Sequence, residues 1–174
     1  MIADVSFVTE VRDLPAFGNL LTDYYRIALK IFEAAGGPVL LPQELAESSL
    51  EHLDEMLPPK GRLVLALGED GRLLGCGTLR WIRPDAVEMK RMFVRPEAQG
   101  LGLGKRLFEM RIEEARKIGC RAIYADTAKG NRPMLSIYER FGFNYIPRYP
   151  ENANPPGFEP YLVYLEYRFP QPLD

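Results

Sequence analysis

Residues 92–107 have the sequence MFVRPEAQGLGLGKRL, and this stretch decides the fold. The apolar residues before Arg95 are typical of the end of a buried strand, and the residues that follow the turn have the periodicity of an amphipathic helix. Three glycines, Gly100, Gly102 and Gly104, lie between the two elements. Glycines allow a backbone to approach a ligand closely, and the first turn of a helix offers unpaired N–H groups and partial positive charge. The stretch therefore predicts a pyrophosphate-binding turn.

Two other phosphate-binding motifs do not fit this turn. A P-loop requires Gly-Lys-Ser/Thr at the helix start, but Gly104-Lys105 is followed here by Arg106. A dinucleotide fingerprint requires Gly-x-Gly-x-x-Gly, and the third glycine comes one residue too early. A plain strand-to-helix turn without a ligand stays open as the structural alternative.

The remaining sequence predicts an ordered mixture of strands and helices. Asp13 begins a helix that ends at Gly36, and Pro42 begins a second that ends before Pro58. Strands are predicted at residues 5–8, 62–67, 73–81, 87–94, 122–126, 143–146 and 161–169, and a short helix at 133–140. The helix that begins near Leu103 is predicted to be the crossover between neighbouring parallel strands at 87–94 and 122–126. Residues 147–160 are predicted to form a long loop, which is often functional.

Two finer predictions concern the faces of these elements. Strict alternation along residues 87–94 would place Glu88, Lys90 and Met92 on one face of the sheet, and Val87, Met89, Arg91 and Phe93 on the other. Helical spacing predicts that the inner face of the crossover helix consists of Leu107, Met110, Ile112, Ala115 and Ile118.

Length and composition favour one globular domain covering residues 1–174. The chain has 47% apolar and 26% charged residues, close to the average for globular proteins. No apolar run approaches the ~18 residues of a membrane-spanning helix, and the N-terminal residues do not resemble a signal peptide. Two cysteines, Cys76 and Cys120, and one histidine, His52, predict neither a disulfide framework nor a metal site. These features favour the cytoplasm and no membrane partner.

Charge is unevenly distributed along the chain. The net charge is -2, but residues 1–60 hold 4 Lys/Arg and 10 Asp/Glu, whereas residues 88–121 hold 9 Lys/Arg and 5 Asp/Glu. This balance argues against a nucleic-acid partner, which would require a broad basic face. A local basic segment suits a small polyanion better, although solvated helix faces explain the charges equally well.

A second stretch, NRPMLSIYERFGF at residues 131–143, carries a motif that makes the glycine turn more informative. With the glycine turn, it resembles the GNAT family of N-acetyltransferases. That family carries Gln/Arg-x-x-Gly-x-Gly/Ala between its fourth strand and third helix, and later Asn-x-x-Ala-x-x-Leu-Tyr-x-x-x-Gly-Phe. The matching residues are Gln99, Gly102, Gly104, Asn131, Tyr138, Gly142 and Phe143. Met134 and Ile137 depart from the pattern, and Met134 would narrow the cofactor groove slightly.

The resemblance implies a fold and an activity. The expected fold is α/β, with a mixed, mostly antiparallel, twisted sheet of six or seven strands and about four helices. The cofactor-binding core would span residues 87–146, and helices within 13–57 would lie on the acceptor side. The expected activity is direct transfer of acetyl from acetyl-CoA, without a metal, to a primary amine of a small molecule. The alternative function is a catalytically silent sensor that binds acyl-CoA. A weaker alternative is an NAD-dependent enzyme with a similar glycine turn. A homodimer is left open.

The resemblance also implies roles for individual residues. The backbone of Met92, Phe93 and Val94 would bind pantetheine as an added strand, and an amide of Phe93 or Val94 would polarise the thioester carbonyl. The pyrophosphate would lie against Gln99, Gly100, Leu101, Gly102, Leu103, Gly104 and Lys105. Asn131 would contact pantetheine or pyrophosphate, unless it only caps the helix before Pro133.

Two residues are predicted to be catalytic. Tyr138 matches the family tyrosine that protonates the leaving thiolate, and a phenol with the usual pKa of ~10 keeps its proton at neutral pH. A role in the core alone is the alternative. Glu88 is the candidate base for the amine, directly or through a water, and the alternative is a structural pair with Lys90. Glu88→Gln is accordingly expected to lower turnover with little change in acetyl-CoA affinity.

The acceptor side is less specific in the sequence. Its candidate walls are Tyr24, Tyr25, Trp81, Tyr149 and Phe158. The acidic residues Glu44, Glu47, Glu51, Asp54 and Glu55 would attract a cationic amine, or would simply form a solvated helix face. A covalent route through Cys76 or Cys120 is disfavoured, because no histidine other than His52 is present to activate a thiol.

Overall fold

The computed structural model describes residues 1–170, which are built around a seven-stranded sheet of order β1-β2-β3-β4-β5-β7-β6. Neighbouring strands are antiparallel except β4 and β5, which are parallel. The strands are β1 (Ile2–Val8), β2 (Gly61–Gly68), β3 (Leu73–Arg83), β4 (Ala86–Val94), β5 (Ala122–Ala128), β6 (Asn144–Ile146) and β7 (Leu162–Arg168). The predicted mixed, mostly antiparallel sheet is confirmed.

In the described part of the chain, four α-helices cover the sheet: α1 (Leu14–Ala34), α2 (Pro42–Glu51), α3 (Leu103–Lys117) and α4 (Arg132–Arg140). The predicted cap of α1 is present, since Asp13 Oδ1 accepts a hydrogen bond from the Ala16 N–H at 2.9 Å. Helix α3 connects the parallel strands β4 and β5, as the sequence predicts. Short 3₁₀ turns lie at Leu53–Met56, Pro96–Ala98 and Pro156–Tyr161, the last within the predicted long loop. Within residues 1–170, no helix has the length and apolar character that crossing a bilayer requires.

The helices form a layer on each face of the sheet. Phe17, Leu20 and Leu21 of α1 pack with Leu63 and Phe93 on one face. On the other face α3 and α4 bury a second core, whose members include Leu79, Met89, Phe108, Ile112 and Tyr138. The sheet therefore separates two apolar cores, and β4 contributes side chains to both.

The predicted alternation along β4 is wrong beyond Lys90. Register with β3 shifts between Cys76 and Thr78, and Arg91 has a left-handed φ of 51°. This is a β-bulge: one extra residue on β4 moves the side chain of every following residue to the opposite face of the sheet from the one predicted. Met92 therefore packs with the α3 side, away from Glu88, whereas Phe93 packs with the α1 side.

The predicted inner face of α3 is incomplete. Leu107, Ile112 and Ala115 are buried as expected, but Phe108 and Arg111 are fully buried too. Helical periodicity does not predict burial of Arg111, because arginine is almost never fully buried unless it is paired.

Candidate active site

Strands β4 and β5 pair over only four residues each and then separate. Ala86–Met89 pairs with Ala122–Ala125, and no pairing between the two strands follows within the described residues. A cavity of about 660 Å³ lies where they part, lined by side chains from α1, α2, β4, β5, α4 and the loop at residues 153–158. The gap leaves one edge of β4 open to a ligand.

The bulge in β4 directs two carbonyl groups into the protein. The Lys90 carbonyl accepts a hydrogen bond from Thr78 Oγ1 at 3.1 Å, and the Arg91 carbonyl accepts one from Cys76 Sγ at 3.2 Å. Because buried carbonyl groups need partners, these side chains of β3 stabilise the bulge.

Arg111 supports the bulge from the opposite side. Its guanidinium donates to the carbonyls of Leu107 (3.2 Å), Lys90 (3.4 Å) and Thr78 (3.5 Å), and to Met92 Sδ at 2.8 Å. No carboxylate of the described residues pairs with it, and burial lowers the pKa of this guanidinium. Arg111 is not among the residues predicted from sequence; its one signal there is a charge four positions after the inward-facing Leu107.

Beyond the bulge, backbone groups of β4 alternate between β3 and the open gap. The Arg95 N–H donates to the Leu74 carbonyl of β3 at 2.8 Å, and Phe93 is the residue paired with Cys76. In an antiparallel ladder successive residues direct their N–H and C=O groups to opposite sides. The backbone groups of Met92 and Val94 therefore face the gap.

The glycine turn lies at the end of this open edge. Gly100 and Gly102 have φ values of 77° and 76°, which glycine adopts at little cost, and no heavy atom would meet a Cβ at either position within 4 Å. Gln99 donates from Nε2 to the Val94 carbonyl at 3.1 Å and so joins the turn to the strand. Gly102 is the N-cap of α3, and the first turn of this helix offers unpaired N–H groups. Lys105 is exposed and pairs with Glu109 at 3.6 Å.

Asn131 and Tyr138 both line the cavity. Asn131 is the N-cap residue of α4, but its side chain makes no capping hydrogen bond and instead donates from Nδ2 to Thr127 Oγ1 at 2.8 Å. The Tyr138 ring packs edge-on against Phe108 and Phe143. Its hydroxyl makes no hydrogen bond with the residues that the structure describes, and burial raises the pKa of this phenol, so it stays protonated.

Glu88 lies at the centre of a buried polar network. It is fully buried and accepts hydrogen bonds from Arg80 Nη2 at 2.8 Å, Tyr149 Oη at 2.5 Å and Asn152 Nδ2 at 3.3 Å. Lys90 Nζ lies 3.6 Å from its carboxylate. Glu88 is not among the residues that line the cavity.

Asp126 is not among the residues predicted from sequence, but it is the carboxylate next to Glu88 that reaches the cavity. It accepts hydrogen bonds from Asn152 Nδ2 at 2.7 Å and Asn154 Nδ2 at 3.0 Å. Lys90 Nζ lies 3.5 Å from Asp126 and bridges it to Glu88. Asp126 comes from β5 and the asparagines from the loop after β6, so no local motif indicates this cluster.

The aromatic residues suggested as acceptor walls divide into two groups. Tyr24, Tyr25 and Phe158 line the cavity. Trp81 packs in the core beneath α3 and α4 instead, and Tyr149 is buried against Glu88.

Both cysteines are buried free thiols. Burial raises the pKa of Cys76 to about 12 and that of Cys120 to about 11, so neither thiol readily forms the thiolate nucleophile. Within residues 1–170, no group of three or more His, Cys, Asp and Glu side chains could hold a metal ion.

Comparison with known proteins places this geometry in a family. The model of the Acetyltransferase (GNAT) family matches residues 20–143. An uncharacterized N-acetyltransferase of Schizosaccharomyces pombe is 32% identical over 152 residues, which are 87% of this chain and 88% of the relative. An IAA acetyltransferase of Azospirillum brasilense is 34% identical over 100 residues, 56% of this chain and 65% of the relative.

Solved structures agree with the fold. The crystal structure of an acetyltransferase from Streptococcus agalactiae superposes with a TM-score of 0.74 at 19% identity, covering 95% of this chain and 98% of that one. Together, the open β4 edge, the glycine turn and the match over residues 20–143 lead to one conclusion: the chain belongs to the GNAT family of acetyltransferases.

Proposed function

We propose that the protein transfers an acetyl group from acetyl-CoA directly to a primary amine of a small molecule in a ternary complex. The observation that carries this proposal is the open edge of β4, which leads from the cavity containing Tyr138 to the glycine turn before α3. An extended pantetheine arm fits such an edge because it can pair with backbone groups as an added strand does. Acetyl-CoA, when bound, supplies the thioester whose acetyl group is transferred.

The residues of the turn fit the other end of that molecule. The free N–H groups at the start of α3, and the unobstructed backbone at Gly100 and Gly102, suit a pyrophosphate. A Cβ at Gly104 would lie 3.6 Å from Met92 Cε, so the first turn of α3 runs beside the open strand. Residues Gln99 to Lys105 are therefore proposed to bind the pyrophosphate, and Asn131 to bind the arm from the opposite wall.

The backbone of β4 is proposed to polarise the thioester carbonyl. A fixed N–H group in a site shielded from water stabilises negative charge that develops on an oxygen. Of the residues proposed from sequence, Met92 and Val94 direct their backbone groups to the gap, which favours the Val94 amide over that of Phe93. Phe93 contributes its side chain to the core with α1.

Proton transfers are proposed to involve Tyr138 on one side and two carboxylates on the other. Tyr138 lines the cavity with a protonated and unpaired hydroxyl, which suits a proton donor to the leaving thiolate. Asp126 is proposed to receive the amine proton, directly or through a water. Glu88, which shares Lys90 and Asn152 with Asp126, is proposed to act behind it and to position it.

The first experiment is a calorimetric titration of the protein with acetyl-CoA, with NAD as the control ligand. We expect one micromolar site for acetyl-CoA and none for NAD. Release of free CoA is then followed across a panel of amines, and turnover of any primary amine supports the enzyme. Binding without release by any amine would favour the acyl-CoA sensor, and no binding at ~1 mM would refute the proposed function.

A further inference from the structure

Arg91 differs from the other cations that line the cavity. It is the bulge residue of β4, and its side chain extends toward α2, where Nε donates to Ser49 Oγ at 3.3 Å. Ser49 is buried, and its hydroxyl also lies 2.7 Å from the Tyr25 hydroxyl. Within residues 1–170 no carboxylate lies within 4.0 Å of the Arg91 guanidinium, whose Nη1 and Nη2 groups make no hydrogen bond there.

The remaining charges of the site are paired and carry a surplus of one negative charge. Arg80 pairs with Glu88 at 2.8 Å and with Glu55 at 3.7 Å. Lys90 pairs with Glu88 at 3.6 Å and with Asp126 at 3.5 Å. Two cations thus face three carboxylates, so this group attracts a cation whereas Arg91 attracts an anion.

We propose that the acceptor is an amino acid, that is, a small amine that also carries a carboxylate, and that Arg91 with Ser49 binds this carboxylate. This inference rests on the proposed function and names its acceptor class. A guanidinium presents two parallel N–H groups to a carboxylate, and the Nη1 and Nη2 groups of Arg91 are available for this contact. The ammonium end of the same molecule then lies toward Asp126, one of the three carboxylates that share the two cations.

The position of Arg91 is fixed rather than adaptable. A left-handed backbone at a residue other than glycine is strained, and surrounding contacts must hold it. Here the Cys76 thiol binds the Arg91 carbonyl, and Arg111 binds the preceding carbonyl of Lys90. The bulge therefore fixes the Arg91 backbone, and the hydrogen bond to Ser49 directs the side chain toward α2 before any ligand binds, which lowers the entropy cost of recognition.

The charges do not suit a polycation. The acidic stretch predicted to attract a cationic amine consists of Glu44, Glu47, Glu51, Asp54 and Glu55. Of these only Glu55 lines the cavity, and it faces Arg80. A polyamine would also have to lie beside the unneutralised Arg91 guanidinium, and like charges repel.

The experiment compares matched acceptors on wild type and on Arg91→Gln. The panel contains the common α-amino acids, short ω-amino acids, and the carboxamide of each, and both CoA release and acceptor binding in the presence of CoA are measured. We expect wild type to prefer at least one amino acid over its carboxamide by tenfold or more in kcat/KM. Arg91→Gln should lower kcat/KM and affinity for that amino acid ten- to hundredfold, and change the values for the carboxamide less than threefold.

Three controls make the result specific. Arg91→Lys keeps the charge but loses the two parallel N–H groups of the guanidinium, so its preference for the amino acid over the carboxamide should be intermediate. Arg12→Gln removes the same charge from a side chain that is 90% exposed, and should change nothing. The acetyl-CoA affinity of Arg91→Gln should equal that of wild type, which shows that the bulge is intact.

Two results would overturn the inference. Equal use of carboxamides and amino acids by wild type would do so while leaving the proposed acetyl transfer standing. An equal loss for both acceptor types in Arg91→Gln would assign Arg91 to the general structure of the site. Failure of acetyl-CoA to bind is the separate result that removes the proposed function itself.

Discussion

Replacing Tyr138 with phenylalanine should separate chemistry from structure. General acid catalysis contributes about 10²–10⁴-fold to a rate. We therefore expect Tyr138→Phe to lower kcat at least 100-fold, which corresponds to about 2.7 kcal/mol of transition-state stabilisation at 1.36 kcal/mol per tenfold. Acetyl-CoA affinity should change less than about threefold, because the aromatic ring and its packing against Phe108 and Phe143 are retained.

The structure also predicts that this variant folds normally. The Tyr138 hydroxyl has no hydrogen-bond partner among the described residues, so its removal leaves no buried group unpaired. We expect the free energy of unfolding to change by less than about 1 kcal/mol. Tyr149→Phe is the matched control, because Tyr149 donates a 2.5 Å hydrogen bond to the buried Glu88. Its loss should cost about 1.5–3 kcal/mol, as for hydrogen bonds to charged groups.

The assay is steady-state release of free CoA with the best acceptor from pH 6 to pH 10, combined with chemical denaturation of both variants. Burial raises the pKa of Tyr138, so wild type should show no loss of kcat from phenol ionisation in this range. The rate defect of Tyr138→Phe should therefore be nearly constant with pH. A variant that keeps more than half of the wild-type kcat, or is destabilised as much as Tyr149→Phe, would refute the assignment of Tyr138 as the acid.

Three further predictions follow from the same geometry. Gly102→Ala and Gly71→Ala each add a Cβ to a residue with a φ near 77°, and neither Cβ would have a heavy atom within 4 Å. Because the left-handed backbone disfavours alanine, each variant should lose about 1–2 kcal/mol of stability. Isothermal titration should show weaker acetyl-CoA binding only for Gly102→Ala. Asp126→Asn should lower kcat at least 100-fold and, because the partly buried pair with Lys90 is lost, should lower the free energy of unfolding by about 1.5–3 kcal/mol. Glu88→Gln should lower the free energy of unfolding by more, about 3–5 kcal/mol, because it disrupts a fully buried ion pair; equal stability of the two variants would contradict this division. Stability should fall as the pH rises above ~9, because burial raises the pKa of the two thiols and of the phenols of Tyr24, Tyr138 and Tyr149, so these groups lose their protons first in the unfolded chain. Above pH ~10 the three phenols alone should contribute about 4 kcal/mol per pH unit to the slope in pH-dependent denaturation, and a flat profile to pH 11 would contradict their raised pKa values.

The order of strands and helices could be predicted because its signals are local. Asp13 and Pro42 mark helix starts, alternating apolar residues mark the strands, and the glycine turn marks the junction of β4 with α3. Each signal depends on only a few neighbouring residues, and hydrophobic patterning then fixes which face is buried. The fold and the family were therefore predicted correctly.

Which face of the sheet each β4 side chain lies on could not be predicted beyond Lys90, because the bulge depends on residues distant in sequence. Nothing within residues 87–94 indicates that Arg91 adopts a left-handed backbone. The conformation is supported by Thr78 and Cys76 on β3 and by Arg111 on α3. The same limit applies to Asp126, whose polar neighbours come from a loop more than twenty residues further along the chain.

The bulge connects the two halves of the proposed reaction. One inserted residue turns Met92 toward α3 and presents the Met92 and Val94 backbone to the gap, where a thioester would lie. The same insertion places Arg91 where its side chain reaches Ser49 of α2, on the proposed acceptor side of the cavity. A regular strand would continue the alternation of Glu88 and Lys90 and would place Met92 on the acceptor side. In the proposed reaction, cofactor and acceptor recognition therefore both depend on one backbone irregularity. A substitution that releases the bulge should weaken the binding of both molecules, whereas Arg91→Gln should weaken only the binding of the acceptor.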